Sequence, residues 1–141
     1  MLSSTKGLPQ LLDKELIAFL TAVNENGQPQ TSPVWFQRDG EDIVVYNRPD
    51  ARRLRSIETN ARVALTLRAD RHGQALVSLE GTAVVENHLP RAKELPGYEE
   101  KYADEIADLG WTPGSFSDEY SVGIRITVTK VRASGNSRLL D

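Results

Sequence analysis

The sequence predicts a mainly β domain with peripheral helices: a small antiparallel barrel of six strands, closed or half-closed. Three observations carry this. Six segments show strand patterning and follow one another through turn signals, the arrangement of sequential hairpins. One helical segment falls between the third and fourth strands and a second helical region precedes the last, so helices punctuate the strands rather than alternate with them. No linker, repeat or low-complexity segment divides the 141 residues. One domain over residues 1–141 is expected, burying about two-thirds of its unfolded surface.

The elements follow in order. QLLDKELIAFL (10–20) places Leu12, Leu16, Ile17 and Leu20 on one helical face, predicting a short amphipathic helix. FLTAVN reads as the first strand, and NENGQ as a turn in which Gly27 is free to take positive φ. QPQTSPVWFQ is the second strand, RDGE (38–41) a hairpin turn and DIVVYN the return strand. PDARRLRSIETN (49–60) is predicted helical with Asp50 as N-cap. ARVALTLRA alternates Val63, Leu65 and Leu67 on one face, a half-buried strand, and DRHGQ turns the chain. ALVSLEGTAVVE is a long strand in which Gly81 signals a bulge or bend. Residues 90–110 are charged and helical, broken at Pro96–Gly97. Thr112–Pro113 has the form of an N-cap followed by proline at the first helical position. YSVGIRITVTKVRA, with Val122, Ile124, Ile126 and Val128 inward, is the last strand.

Composition excludes several function classes. The net charge of −3 and pI near 5.4 give no global basic field for nucleic acid or membrane surfaces. There is no cysteine, hence no disulfide, thiolate nucleophile or thiolate metal site. No stretch reaches the roughly 20 apolar residues of a membrane span, and the first residues lack a signal-peptide pattern, so a cytoplasmic location is expected. His72 and His88 stand apart in the sequence and read as surface residues rather than metal ligands. Neither a G-x-S-x-G elbow nor a phosphate-binding P-loop is present.

Two features remain as candidates. Arg48, Arg52, Arg53 and Arg55 fall where a strand ends and a helix begins. A helix N-terminus with added guanidiniums suits a phosphate or carboxylate, although the same residues would also serve as a solvated basic helix face. In TSPVWF, Val34 and Phe36 point to the core, which leaves Pro33 and Trp35 on the opposite face. That face calls for a cover: a second subunit, a flat ligand, or one of the chain's own helices.

The run GQPQTSPVWFQRDGEDIVVYNRPDARRLRSIETNARVALTL (27–67), followed by LEGTAVV (79–85), resembles the pyridoxamine-phosphate-oxidase-like family of split β-barrel oxidoreductases. The segment EKYADEIADLGWTPGSFSDEYSVGIRIT (100–127) resembles the C-terminal signature of the actinobacterial branch that uses the 5-deazaflavin coenzyme F-420. The resemblance implies a six-stranded split barrel, a homodimer with a cofactor groove at the subunit seam, and hydride transfer to a small unsaturated or quinone-like substrate. It implies coenzyme F-420, or alternatively FMN, along Gln30, Ser32, Pro33 and Trp35, with Tyr46 and Asn47 bordering the ribityl chain and Arg52 and Arg53 at the phosphate. No catalytic side chain is implied, because the cofactor carries the reactivity. The family commonly has lysine where Arg53 stands and serine or threonine where Asn47 stands. A non-catalytic protein that stores a cofactor or an apolar ligand is the reading from a different class.

Overall fold

The computed structural model describes residues 2–134 apart from 71 and 73. Arg71 and Gly73 of the expected DRHGQ turn lie outside the described residues. Seven strands form one antiparallel sheet: β1 (Ala18–Val23), β2 (Pro29–Val34), β3 (Gln37–Asp39), β4 (Asp42–Asn47), β5 (Arg62–Arg68), β6 (Leu76–Glu86) and β7 (Val122–Ser134). Their spatial order is β2-β1-β5-β6-β7-β4-β3. Four α-helices accompany them: α1 (Leu8–Lys14), α2 (Arg52–Thr59), α3 (Tyr98–Asp108) and α4 (Pro113–Glu119).

The strand count departs from the sequence reading, which took QPQTSPVWFQ as one continuous strand. The chain leaves the ladder at Trp35 and Phe36, giving β2 on one edge of the sheet and β3 on the other. Consecutive Cα atoms are about 3.8 Å apart, so the step from Val34 to Gln37 spans at most about 11 Å. The sheet must therefore curl until its two edges approach, yet no ladder joins them. This is a barrel with an open seam.

Side chains of helix α3 fill that seam. The Tyr102 hydroxyl accepts a 2.8 Å hydrogen bond from the Phe36 N–H, and its single proton is shared between the carbonyls of Leu16 (2.7 Å) and Phe36 (3.0 Å). Beside it, the Lys101 ammonium donates to the carbonyls of Leu12 (2.9 Å) and Phe36 (2.8 Å). Backbone groups that a closed barrel would pair in a ladder are paired here by two side chains.

Two apolar cores flank the sheet. The barrel interior packs Leu20, Phe36, Ile43, Val45, Leu65, Leu79, Ile124 and Ile126, with Leu54 and Ile57 of α2 closing it. The second core is mostly aromatic and packs Val44 and Tyr46 against Tyr98, Tyr102, Ile106 and Phe116. Strand β4 belongs to both: Ile43 and Val45 face the barrel while Val44 and Tyr46 face the helices. That double burial is why DIVVYN is a near-continuous apolar run rather than an alternating one.

Several local expectations hold. Gly81 marks a bulge, with a register shift between Glu80 and Gly81 opposite Thr129 of β7. A Cβ on Gly81 would lie 2.2 Å from the Thr127 carbonyl oxygen, so only glycine fits. Thr112 caps α4 through a capping box with Ser115. Val34 and Phe36 are buried in the barrel core. Others need correction. Helix α1 spans Leu8–Lys14, not 10–20, because Leu16 and Ile17 leave the helix and Ala18 onward pairs with β2 and β5. Asp50 does not cap α2; the N-cap is Ala51, without a side-chain hydrogen bond, so no side chain caps the first amides of α2, of which Leu54 N–H bonds the Ala51 carbonyl at 3.1 Å.

Candidate functional site

Two neighbouring cavities lie along β2 and the start of α2, and Arg53 lines both. The smaller, about 190 Å³, is bounded by Gln30, Thr31 and Ser32 on edge strand β2 and by Ala51, Arg52 and Arg53. The larger, about 300 Å³, is walled by Pro33, Trp35, Tyr46, Tyr98, Trp111 and Tyr120 among others.

The larger cavity exists because α3 and α4 bring aromatic rings over β4. Tyr98 and Tyr102 stand at i and i+4 on α3, and Phe116 and Tyr120 at i and i+4 around α4, so each pair shares one helix face. Trp35 stacks on Tyr102 (centroids 4.7 Å apart, planes at 11°) and on Phe116 (5.3 Å, 26°). Phe116 stacks on Tyr120 (4.6 Å), and Trp111 touches both. The chain's own helices thus supply the cover that Trp35 required. Trp35 is half-buried rather than solvent-facing, and its remaining exposed surface opens on the cavity. Pro33 is exposed.

The electrostatics are one-sided. Among the described residues, no Asp, Glu, His or Lys lines the larger cavity. Arg53 is half-buried, and burial pulls its guanidinium below the ordinary range, partly offset by Tyr120. Among the described residues, Arg52 and Arg53 have no carboxylate within ion-pair distance, whereas Arg55 reaches Glu25 at 3.6 Å. A desolvated guanidinium without a counter-ion, beside helix amides that no side chain caps, is an arrangement that an anion stabilises. Arg48 is exposed and lies over the rings of Tyr120 (5.2 Å) and Trp111 (5.8 Å).

Of the residues singled out from the sequence, Gln30, Ser32, Arg52 and Arg53 meet in the smaller cavity and Pro33, Trp35, Tyr46 and Arg53 in the larger. Asn47 lines neither. It is buried, donates through Nδ2 to the carbonyls of Val45 and Val122 (3.1 Å each), and has no partner for Oδ1. Tyr46 is tied down by a 2.5 Å hydrogen bond to the Pro90 carbonyl, and burial pushes its phenol up to about 12. The sequence reading missed Tyr98, Trp111, Phe116 and Tyr120. Tyr98 lies inside a segment read as a charged surface, while Phe116 and Tyr120, beyond that segment, carry the signal as aromatics at i and i+4 helical spacing. His72 and His88 are exposed, and among the described residues no group of His, Asp and Glu is placed to hold a metal ion. Nor is any described helix long and apolar enough to cross a membrane.

The family model for pyridoxamine 5′-phosphate oxidase matches residues 5–135. The chain belongs to that family. No curated protein sequence matches it. Among solved structures, a conserved hypothetical protein from Mycobacterium tuberculosis superposes with a TM-score of 0.73 at 19% identity, covering 93% of this chain and 84% of that one. An F-420 reductase gives a TM-score of 0.63 at 22% identity, covering 87% and 94%. HutZ, the heme storage protein of Vibrio cholerae, gives 0.63 at 18%, covering 92% and 95%. At these identities the likeness establishes the fold alone, and the solved structures that share it include an F-420 reductase and a heme storage protein.

Proposed function

We propose that this chain is a deazaflavin-dependent reductase that binds coenzyme F-420 and delivers a hydride to a small unsaturated or quinone-like molecule. The observation that carries the reading is Arg53, a half-buried guanidinium with no carboxylate partner among the described residues, where a polar cavity on an edge strand meets an aromatic one. These residues fit a phosphorylated, ring-bearing cofactor. Arg52, Arg53 and the first amides of α2 would hold the phosphate, Gln30 and Ser32 the polar parts, and Pro33 with Trp35 the ring. When bound, the deazaflavin supplies a two-electron hydride, since it has carbon where a flavin has its reactive nitrogen. The protein's share is to orient both partners and exclude water, which suits a cavity walled by aromatic rings and lacking, among the described residues, any carboxylate, histidine or lysine. The resemblance of residues 100–127 to the deazaflavin branch supports this cofactor over FMN, because that segment builds the aromatic wall.

A homodimer is part of the proposal. Phe19 pairs with Pro33 across β1 and β2, both exposed, and Ile17 and Leu76 add exposed apolar surface near Phe19. A second copy covering this face would border the β2 edge of the cofactor site. The test is to titrate the purified protein separately with F-420 and with FMN, and to follow oxidation of the reduced cofactor by a quinone. Submicromolar F-420 binding with turnover is expected. Retention of FMN alone would replace the cofactor assignment, and binding without reduction of any acceptor would make the chain a carrier.

A further inference from the structure

The wall of the aromatic cavity contains a buried hydroxyl that the fold does not use. Tyr98 is 1% exposed, and it lines this cavity. Its ring is fixed by an edge-on contact with Tyr46 (5.4 Å, 86°) and a tilted one with Tyr102 (5.0 Å). The neighbouring phenols are both satisfied: Tyr46 donates to Pro90, and Tyr102 bonds Leu16 and Phe36. The Tyr98 hydroxyl has no hydrogen-bond partner among the described residues. It is not sealed in the core either, so its small remaining exposure faces the cavity.

A buried hydroxyl left without a partner is a net cost to the fold. A folded core tolerates that cost where a ligand or water completes the bond. Burial, with further contributions from Tyr102, Tyr46 and Tyr120, holds the phenol above its ordinary range. It therefore stays protonated at any physiological pH and offers a donor.

We infer that the Tyr98 hydroxyl is the ligand-directed hydrogen-bond donor of this cavity, and that the substrate is a flat conjugated molecule with a carbonyl-type oxygen at its inner end. This rests on the proposed function, with the substrate seated in the aromatic cavity against the cofactor ring that Pro33 and Trp35 would hold, and it narrows the substrate class. Rings stacked as Trp35, Phe116 and Tyr120 are select for flatness, and the other neutral donors of the lining, on Trp35, Trp111 and Tyr120, belong to half-buried residues, which leaves Tyr98 as the nearly fully buried one. An oxygen acceptor opposite Tyr98 gains a bond that an all-hydrocarbon analogue cannot make, and such sites reject the analogue because their own polar group stays unpaired. Tyr98 is a positioning residue in this account.

The test uses the full chain without cofactor and two probes of the same shape, 1,4-naphthoquinone and naphthalene. Both are titrated calorimetrically into wild type and Tyr98→Phe. The substitution keeps the ring and removes an oxygen with no protein partner, so the unfolding midpoint in urea should not fall. Naphthoquinone affinity should drop roughly 3- to 10-fold, the equivalent of one neutral hydrogen bond, while naphthalene affinity stays the same. Equal loss for both probes, no loss for either, or no naphthoquinone binding by wild type would overturn the inference. So would a clear fall in stability, which would place the hydroxyl in an internal bond. Deazaflavin turnover is measured in parallel. Turnover without discrimination by Tyr98→Phe sinks this inference alone, and discrimination without turnover sinks only the enzymatic reading.

Discussion

Replacing Tyr102 by phenylalanine removes one oxygen from the seam of the barrel. In the wild type that oxygen accepts from the Phe36 N–H and shares its single proton between the Leu16 and Phe36 carbonyls. The Phe36 carbonyl keeps its bond from Lys101 after the change. The Phe36 N–H, inside a fully buried residue, loses the hydroxyl it bonds. An orphaned buried amide costs about 1–3 kcal/mol, and the lost bond to Leu16 adds about 1 kcal/mol. Tyr102→Phe is therefore expected to destabilise the protein by about 2–4 kcal/mol. The ring stays, so its stacking on Trp35 is retained and no cavity term enters. Urea unfolding at one fixed protein concentration, followed by tryptophan fluorescence, measures the difference; the fixed concentration removes any contribution from self-association. Tyr98→Phe is the matched control: the same atom is deleted from a neighbouring ring on the same helix, with no protein partner lost. A loss below about 0.5 kcal/mol for Tyr102→Phe, or equal losses for the two variants, would refute the view that side chains stitch the seam.

Three further outcomes follow. Arg53→Ala should weaken binding of a phosphorylated cofactor by about 1.5–3 kcal/mol, with little change for a fragment lacking the phosphate, and Arg53→Lys should recover much of the loss; fluorescence titration at two salt concentrations checks this, and equal affinity in wild type and Arg53→Ala removes the residue from the site. Gly81→Ala forces a Cβ onto the Thr127 carbonyl and should cost about 1–3 kcal/mol in urea unfolding, whereas an unchanged midpoint would mean the bulge relaxes freely. Burial pulls the Lys101 ammonium from an ordinary 10.5 down to about 8, so the folded state binds its proton less tightly than the unfolded state, and this contribution to stability should rise as pH increases from about 8 toward 10; Lys101→Met should flatten that rise, and an unaltered pH profile would show that the ammonium is not desolvated.

The strands that were legible in the sequence are those whose pattern is set by one buried face. Val63, Leu65 and Leu67 alternate because only one side of β5 meets the barrel, and the same holds for Ile124, Ile126 and Val128 of β7. Gly81 and Thr112 were readable because each answers a local steric or hydrogen-bonding demand. The break at Trp35–Phe36 was not readable, since nothing in PQTSPVWF specifies that its two halves join opposite edges of a curled sheet; the partners that decide it, Tyr102 and Lys101, lie more than sixty residues away. Helix α1 was overextended for a related reason: Leu16 and Leu20 fit a helical stripe, but pairing with β2 and β5 outweighs local preference. In the candidate site, charge was easier to read than aromatic packing. The arginines stood out as a cluster, and Arg53 lines both cavities. Of the rings that wall the larger cavity, Tyr98 was diluted among the acids of residues 94–108 and Trp111, Phe116 and Tyr120 lie in short elements beyond them, and Asn47, expected at the ligand, is buried among backbone carbonyls instead.

The sheet order also sets a timetable for synthesis. Hairpins β1–β2, β3–β4 and β5–β6 each join neighbours in sequence, so each can form as soon as its own residues emerge. Strand β4 finds its second partner only in β7, with Val45 opposite Ile124 and Ile43 opposite Ile126. Until residues 122–134 leave the ribosome, β4 has a bare edge and two apolar faces, a nascent segment suited to chaperone capture and to mispairing. A stall or truncation just upstream of Val122 would leave a four-stranded β2-β1-β5-β6 sheet and a β3–β4 hairpin with no strand to join them.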